Sequence, residues 1–148
     1  MVSQWLRGFG LVACALAVWA VFPPAIGAQS QAELAVRGVV ERSNHDQEGA
    51  MIGKDWSILN ATMTDEMATE FRQMMEFSTF LGLMSAQMDE IEWGPVRVSG
   101  DSATATTYET WTNVTTEGTE QSRARNDYLL RLVNGAWKIE AVRQIPAD

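Results

Sequence analysis

Apolar and polar residues alternate along the C-terminal half of the chain, in four segments between Asp89 and Ile145. This period of two predicts four antiparallel strands connected as a meander. Asn134-Gly135 separates the last two segments, and Asn-Gly favours a two-residue hairpin loop because both residues tolerate positive φ angles. The pairs that such a loop would place opposite each other are Leu132 with Trp137, Leu130 with Ile139 and Tyr128 with Ala141. We expect their side chains to share the buried face of the sheet.

Two further turns are expected in the same region. Gly100-Asp101 is predicted to join the first two strands and Glu117-Gly118 the next two, since Gly and Asp favour turn conformations. Gly94-Pro95 interrupts the first strand at the point where its apolar phase changes. This interruption predicts a β-bulge that turns the apolar residues on both sides of it inward.

The N-terminal half shows helical patterns instead. Ala32 to about Ser43 is predicted to be a helix with a partly periodic apolar face, and the polar residues 43–49 that follow fit either its continuation or its end. Asp55 is expected to cap a short helix. Thr64 is expected to cap a longer one, which the pattern extends from Asp65 to about Met88.

The long predicted helix is apolar on most of its sides from Met74 onward, and it contains five methionines. Two interpretations follow. The favoured one is a helix buried against the sheet, with methionine and Phe71 filling the core. The other is a groove for an apolar ligand or a partner helix, because methionine-rich surfaces adapt to different occupants. Gly82 is expected to kink or end the helix.

A row of polar residues is predicted to cross the buried face of the sheet. The expected turns place Glu109 opposite Asn126, and Asn126 opposite Arg143. A carboxylate on an apolar face needs a partner, so the favoured interpretation is a buried Glu109–Arg143 ion pair that stabilises the fold. The other is the polar floor of a pocket, which would orient a ligand or supply a general base. The candidate ligand-binding residues are Glu109, Trp111, Asn126, Tyr128, Arg143, Phe71 and Met74, and no residue is assigned a catalytic role.

The first 28 residues have the layout of a secretory signal peptide. Arg7 precedes the apolar run from Leu11 to Phe22, Pro23-Pro24 follows, and the small residues that end at Ala28 suit cleavage. Cys14 lies in a stretch similar to a lipoprotein box, but too few residues precede it, so we favour ordinary cleavage over lipidation. An uncleaved membrane anchor is the alternative. The prediction is therefore one domain, residues 29–148, in the periplasm or secreted.

Charge and composition narrow the classes of partner. Removing Arg7 leaves 10 Lys+Arg against 19 Asp+Glu, a net charge near −9, which disfavours nucleic acid and anionic lipid. Membrane contact is expected only if the signal segment is retained. The chain has one histidine, and its one cysteine belongs to the signal segment, so we predict no metal site and no cofactor.

Three short motifs resemble a known family. The predicted order of helices followed by a meander that ends in Gly-x-Trp-x-Ile resembles the NTF2-like α+β cone fold, with helices packed on a curved antiparallel sheet of about four strands. Tyr108-Glu109-Thr110-Trp111, Asn126-Asp127-Tyr128-Leu129-Leu130 and Ala136-Trp137-Lys138-Ile139 are similar to segments of the intermembrane-space (IMS) type domain of chloroplast division proteins and their bacterial relatives. This resemblance implies a non-enzymatic domain that binds a partner protein.

Three functions follow from these patterns. The leading hypothesis is an extracytoplasmic, non-catalytic domain that binds a protein segment or an apolar ligand in the cone, between the methionine-rich helix and the sheet. The second is a small secreted enzyme of the isomerase or dehydratase type, with Glu109 as base, because NTF2-like enzymes place acids inside the cone. The third is a structural homodimer, joined through the outer face of the sheet at Tyr108, Thr110, Thr112, Leu129 and Val142.

Overall fold

The structure, a computed structural model, describes residues 29–147. The predicted signal peptide, residues 1–28, lies outside this range. The chain folds into two helices, a short 3-10 helix between them, and a four-stranded sheet. The elements are α1 (Gln31–Gly53), the 3-10 helix (Trp56–Ala61), α2 (Asp65–Phe80), β1 (Leu83–Ser99), β2 (Ser102–Thr115), β3 (Gly118–Val133) and β4 (Ala136–Pro146).

Helix α1 begins with a capping box, in which the Ser30 hydroxyl accepts from the Glu33 N–H and the Glu33 carboxylate accepts from the Ser30 N–H. The polar residues 43–49 continue this helix to Gly53. They can do so because Ser43 and Asn44 lie on the buried side of the helix, one turn after Val40 and two turns after Val36. The predicted caps of the later helices are also confirmed, with Asp55 before the 3-10 helix and Thr64 before α2.

Helix α2 is shorter than its apolar pattern predicted. It ends at Phe80, and Gly82 follows with a φ of 106°. The predicted extension of the helix to Met88 was wrong, because residues 83–88 pair with β2 as the first part of β1. Strand pairing therefore outweighs the helical propensity of the methionines in this segment.

The sheet is an antiparallel meander in the order β1-β2-β3-β4, as predicted. Its first turn is at Gly100-Asp101 and its third at Asn134-Gly135. The φ angles of Asn134 and Gly135 are 51° and 80°. The bulge at Gly94-Pro95 is confirmed by a shift in pairing between Trp93 and Val96. The helices cover one face of this sheet, and the core lies between them.

The second turn lies one residue earlier than predicted. Thr115 pairs with Gly118, so the loop is Thr116-Glu117 rather than Glu117-Gly118. The pairing between β2 and β3 is displaced by two residues as a result, and Glu109 lies opposite Ala124 instead of Asn126. Because side chains alternate with a period of two, the displacement leaves every side chain on the face that was predicted for it.

A bulge in β4 changes the predicted faces. The pairs Leu132–Trp137 and Leu130–Ile139 form as expected, but Tyr128 pairs with Val142 and not with Ala141, because Glu140 is an extra residue in β4. One inserted residue moves every later side chain of the strand to the opposite face of the sheet.

The outer edge of β4 is closed by the segment before α2. The Ile139 N–H donates to the Thr62 carbonyl at 2.8 Å, and the Thr64 N–H donates to the Ile139 carbonyl at 2.9 Å. Lys138 adds bonds from its ammonium group to the Asn60 and Ala61 carbonyls, at 2.5 and 2.7 Å. The connection from the 3-10 helix to α2 thus protects this edge of the sheet. Among residues 29–147, none of the helices has the length and apolar character needed to span a membrane.

We predict that Gly82→Ala destabilises the fold. A Cβ at this position would lie 2.6 Å from the Thr116 hydroxyl oxygen, and the φ of 106° is unfavourable for alanine. The expected loss of unfolding free energy is about 2–3 kcal/mol, measured by urea denaturation. Gly100→Ala is the control, because its φ is 58° and no atom lies within 4 Å of the added Cβ. This control is expected to cost only about 1 kcal/mol, and equal losses in the two variants would contradict the prediction.

Candidate functional site

A buried carboxylate lies at the centre of the helix–sheet interface. Glu109 is only 1% exposed, and four side chains donate hydrogen bonds to it. Its Oε1 accepts from the Tyr128 hydroxyl at 2.7 Å, from the Thr107 hydroxyl at 2.7 Å and from the Asn44 amide at 3.1 Å. Its Oε2 accepts from the Trp111 indole N–H at 3.1 Å. We call these five residues the Glu109 site.

Three elements bring the site together. Thr107, Glu109 and Trp111 alternate along β2 and therefore face the helices together. Tyr128 reaches the carboxylate from β3, and Asn44 reaches it from α1. The sequence pattern predicted Glu109, Trp111 and Tyr128 as site residues, but neither Asn44 nor Thr107. The signal for Asn44 was its spacing from the apolar residues of α1, which places an amide on a buried face.

The predicted ion pair between Glu109 and Arg143 does not form. The Glu140 bulge turns Arg143 outward, where its side chain is 73% exposed and lies 3.0 Å from Asp127. The Arg143 guanidinium lowers the pKa of Asp127. Within residues 29–147, no salt bridge includes Glu109, and the four groups around it are uncharged donors.

Burial and the neighbouring carboxylate act on the tyrosine of the site. The pKa of Tyr128 is raised well above its ordinary value, first because the hydroxyl is buried and then because Glu109 is negatively charged beside it. Both effects disfavour the phenolate. Tyr128 is therefore fixed as a hydrogen-bond donor to Glu109.

The other predicted ligand-binding residues lie at different distances from the Glu109 site. Asn126 is buried, at 3% exposure, and faces inward opposite Thr107. Phe71 lies on the inner side of α2 and is buried in the core. Met74, by contrast, is 54% exposed on the outer side of α2. The structure thus places Asn126 and Phe71 in the same interior as Glu109 but excludes Met74 and Arg143 from it.

The geometry of the Glu109 site determines its chemistry. A general base must come within hydrogen-bonding distance of the proton it removes. Glu109 is almost fully covered, and three of its four donors share one oxygen, so the carboxylate serves as an acceptor that joins α1 to β2 and β3. Among residues 29–147, no group of three His, Cys, Asp or Glu side chains is placed to hold a metal ion.

A second feature is apolar and lies on the surface. Five large side chains at the end of α2 and the start of β1 are 54–83% exposed. Met74, Phe77 and Leu81 are spaced i, i+3 and i+7, which places them on one side of the helix. We call this group the α2 apolar surface, and its members are Met74, Phe77, Phe80, Leu81 and Met84. Exposed apolar patches are typical of interaction sites.

A polar groove on the sheet is satisfied by its own side chains. The Asp89 carboxylate accepts from the Thr112 hydroxyl at 2.6 Å and from the Gln121 amide at 3.1 Å, and Arg123 pairs with Glu92 at 2.8 Å. Because these groups bond to one another, the groove offers few free partners for a ligand. The residues that line it are Asp89, Glu90, Thr110, Gln121, Ser122 and Arg123.

Comparison with solved structures identifies the fold. The intermembrane-space region of chloroplast protein ARC6 matches with a TM-score of 0.67 at 14% identity, over 81% of this chain and all of that one. An NTF2-like superfamily protein from Salmonella enterica matches at 0.57 and 13% identity, over 79% and 94% of the two chains. A proposed dehydratase of the NTF2-like family from Streptomyces avermitilis matches at 0.54 and 15% identity, over 76% and 97%.

These similarities confirm that the chain has an NTF2-like α+β fold, as the motifs in the strands predicted. At such low identity they concern the fold alone. No protein-family model and no curated protein sequence matches the chain significantly.

We predict that Glu109→Gln destabilises the protein by about 2–3 kcal/mol, because an amide NH2 replaces one of the two carboxylate oxygens and meets a buried donor that it cannot accept from. Arg143→Gln is the matched control and is expected to cost less than about 1 kcal/mol, since its ion pair is exposed. Urea denaturation of both variants measures the difference. A larger loss for Arg143→Gln than for Glu109→Gln would contradict the assignment of the Glu109 site.

We also predict that Tyr128→Phe reduces the loss of stability at alkaline pH. A pKa that folding raises favours the folded state below the unfolded pKa of about 10, and this contribution is lost as pH rises beyond that value. The unfolding free energy of the native protein should therefore fall above about pH 10, and more steeply than that of Tyr128→Phe. Tyr108→Phe removes the tyrosine outside the site and is the control. Equal slopes for the two variants would contradict the prediction.

Proposed function

We propose that this protein is a non-catalytic binding domain that acts outside the cytoplasm and holds a protein segment against the α2 apolar surface. The observation that carries the proposal is the cluster of five exposed apolar side chains, of which Phe80 is the most exposed at 83%. Covering apolar surface contributes about 25 cal/mol per Å² before the costs of association. A partner that buries these side chains would gain a substantial part of its affinity from them.

The interior of the fold leaves little room for a small ligand. Glu109, Tyr128 and Asn44 bond to one another there, and none of the three is more than 4% exposed. The binding surface that the methionine-rich segment offers is therefore on the outside of α2. This observation favours a protein segment over a small apolar ligand inside the cone.

The hypothesis of an enzyme has less support from the geometry. Its base, Glu109, is occupied by four donors and is 1% exposed. The similarity to a proposed dehydratase concerns the fold, and NTF2-like folds carry many functions. A catalytic role would need a path for substrate to the carboxylate, and Glu109 is only 1% exposed.

The hypothesis of a homodimer through the outer sheet face loses one of its contacts. Val142 was expected on that face, but the Glu140 bulge turns it inward, where it packs against the core. Leu129 is exposed there, at 38%. Each side chain of the α2 apolar surface is more exposed than Leu129.

Two observations support a location outside the cytoplasm. Residues 1–28 have the order of charged, apolar and small residues that is typical of a signal peptide. The fold is also similar to a region of ARC6 that lies in the intermembrane space.

The experiment that tests the proposal is photo-crosslinking in cells of the native host. A benzophenone amino acid in place of Phe80 is expected to form a covalent product with a second protein, because Phe80 would be covered by the partner. The same amino acid in place of Leu34 is the control, since Leu34 is 45% exposed but lies in the N-terminal part of α1. It is expected to form no such product.

Three outcomes would contradict the proposal. A product with the mass of two copies of this chain would support a homodimer instead. Crosslinking that is equal at positions 80 and 34 would indicate contact without a specific surface. The absence of any product at position 80 would mean that the α2 apolar surface is not a binding site.

A further inference from the structure

The β1 edge of the sheet is protected in a different way from the β4 edge. On β4, backbone groups of Thr62 and Thr64 bond to Ile139 and close the edge. On β1, a side chain does this at one position, where the Glu48 carboxylate of α1 accepts from the Met88 N–H at 2.7 Å. Residues 83–87 of β1 come before Met88 in the chain, and they form the part of this edge that lies beside the α2 apolar surface.

The pattern of strand pairing shows which backbone groups face this edge. Hydrogen bonding alternates along an antiparallel pair, so residues two apart point the same way. The Met88 N–H points away from β2, toward Glu48, and the Ala86 N–H and C=O therefore also point away from β2. Among residues 29–147, none of the backbone bonds made outside the helices and the strand ladders involves Ala86. Strand β1 thus offers a donor and an acceptor at its edge.

This edge continues directly into the α2 apolar surface. Gly82 separates Leu81 from β1, and the shift in pairing between Leu83 and Ser85 leaves the Met84 side chain 63% exposed. A chain that paired with residues 83–87 would lie next to Leu81 and Met84. A single short segment of a partner could therefore make backbone hydrogen bonds to β1 and apolar contacts with the α2 apolar surface.

The charge around this region indicates the composition of its partner. Between Asp65 and Glu92 there are seven acidic residues and a single basic one, Arg72; two of the seven, Glu76 and Glu92, form ion pairs with Arg72 and Arg123, which leaves five. The hairpin loop that contacts Gly82 adds Glu117, because the Thr116 N–H donates to the Gly82 carbonyl at 2.9 Å. A basic segment would be attracted to this surface and an acidic one repelled.

We infer that the segment held at the α2 apolar surface is extended and basic, and that it adds to the sheet as a fifth strand along β1 between Leu83 and Gln87. The inference rests on the proposed function and specifies the partner of the same surface. Main-chain hydrogen bonds to Ala86 supply part of the affinity, and apolar side chains at alternate positions of the segment contact Leu81 and Met84. Glu48 limits the added strand at Met88.

A helical partner would use the surface less completely. Its backbone groups are already bonded within the helix, so it would cover the Ala86 N–H without giving it an acceptor. Burying an unpaired backbone donor costs about 1–3 kcal/mol. An added strand satisfies this group and covers the apolar side chains together.

The test uses a displayed library of random peptides about eight residues long, which is the length of an ordinary strand. Selection on the protein is expected to enrich peptides with apolar residues at alternate positions and Lys or Arg between them. A selected peptide is then bound to ¹⁵N-labelled protein. Exchange of the Ala86 amide hydrogen is expected to slow about tenfold or more, because the peptide gives it an acceptor. The Gln87 amide, which faces β2, should change little.

Three variants separate the contribution of the added strand to peptide binding from that of the α2 apolar surface. Ala86→Pro removes the outward N–H without removing a bond to β2 and is expected to weaken peptide binding about tenfold. Ala86→Ser keeps the N–H and is the matched control, with unchanged affinity expected. Phe80→Ser is expected to weaken binding as well, because it removes an apolar contact. If Ala86→Pro fails to fold, the exchange of the Ala86 amide in the native protein decides the question.

The outcomes distinguish the two proposals. Loss of binding in Phe80→Ser, with unchanged binding in Ala86→Pro or unchanged exchange at Ala86, would overturn the added strand and leave the binding surface in place. Enrichment of acidic peptides would overturn the basic partner. A library that gives no binder would overturn the extended segment, whereas the crosslink at position 80 would still test the surface independently.

Discussion

The contact between the Glu109 carboxylate and its four uncharged donors fixes how α1 meets the sheet. A carboxylate removed from water must be compensated, and here hydroxyl, amide and indole groups from three elements supply that compensation. Asn44 can reach Glu109 only if α1 lies at one position along β2, and Tyr128 can do so only if β3 keeps its register. The polar cluster therefore specifies an arrangement that apolar packing alone would allow to slide. Because the same contacts cover the carboxylate, they favour a functional site on the surface over one in the interior.

Much of the sheet could be predicted from the sequence because its turns have clear chemical signals. Asn134-Gly135 and Gly100-Asp101 fixed two hairpins, and the period-two alternation placed Glu109 and Tyr128 on the buried face. The error of one residue at Thr116-Glu117 changed the pairs but not the faces. The Glu140 bulge could not be predicted, since no glycine or proline marks it and the alternation of Trp137 and Ile139 continues into it without a break. That one residue moved Arg143 out of the predicted site and Val142 into the core.

The boundary between α2 and β1 shows a second limit of sequence reasoning. Met84 and Met88 favour a helix by propensity, and their spacing continues the apolar pattern of α2. The pairing of residues 83–88 with β2 is a contact between distant parts of the chain, and local propensity carries no information about it. Gly82 was the one local signal. It marked the end of the helix, and the exposed apolar residues on both sides of it became the surface where binding is proposed.

The unequal edges of the sheet also limit how copies of this chain can associate. Backbone bonds at Ile139 occupy the β4 edge, and that strand carries Lys138 and Arg143 and ends at Pro146. Sheet-to-sheet growth of an open filament requires two competent edges on each molecule, one to receive a neighbour and one to pass the contact on. Among residues 29–147, β1 presents such an edge between Leu83 and Gln87, whereas β4 is occupied at Ile139. Two molecules joined there would form a closed pair, and the chain can therefore keep an accessible strand without the hazard of unlimited polymerisation.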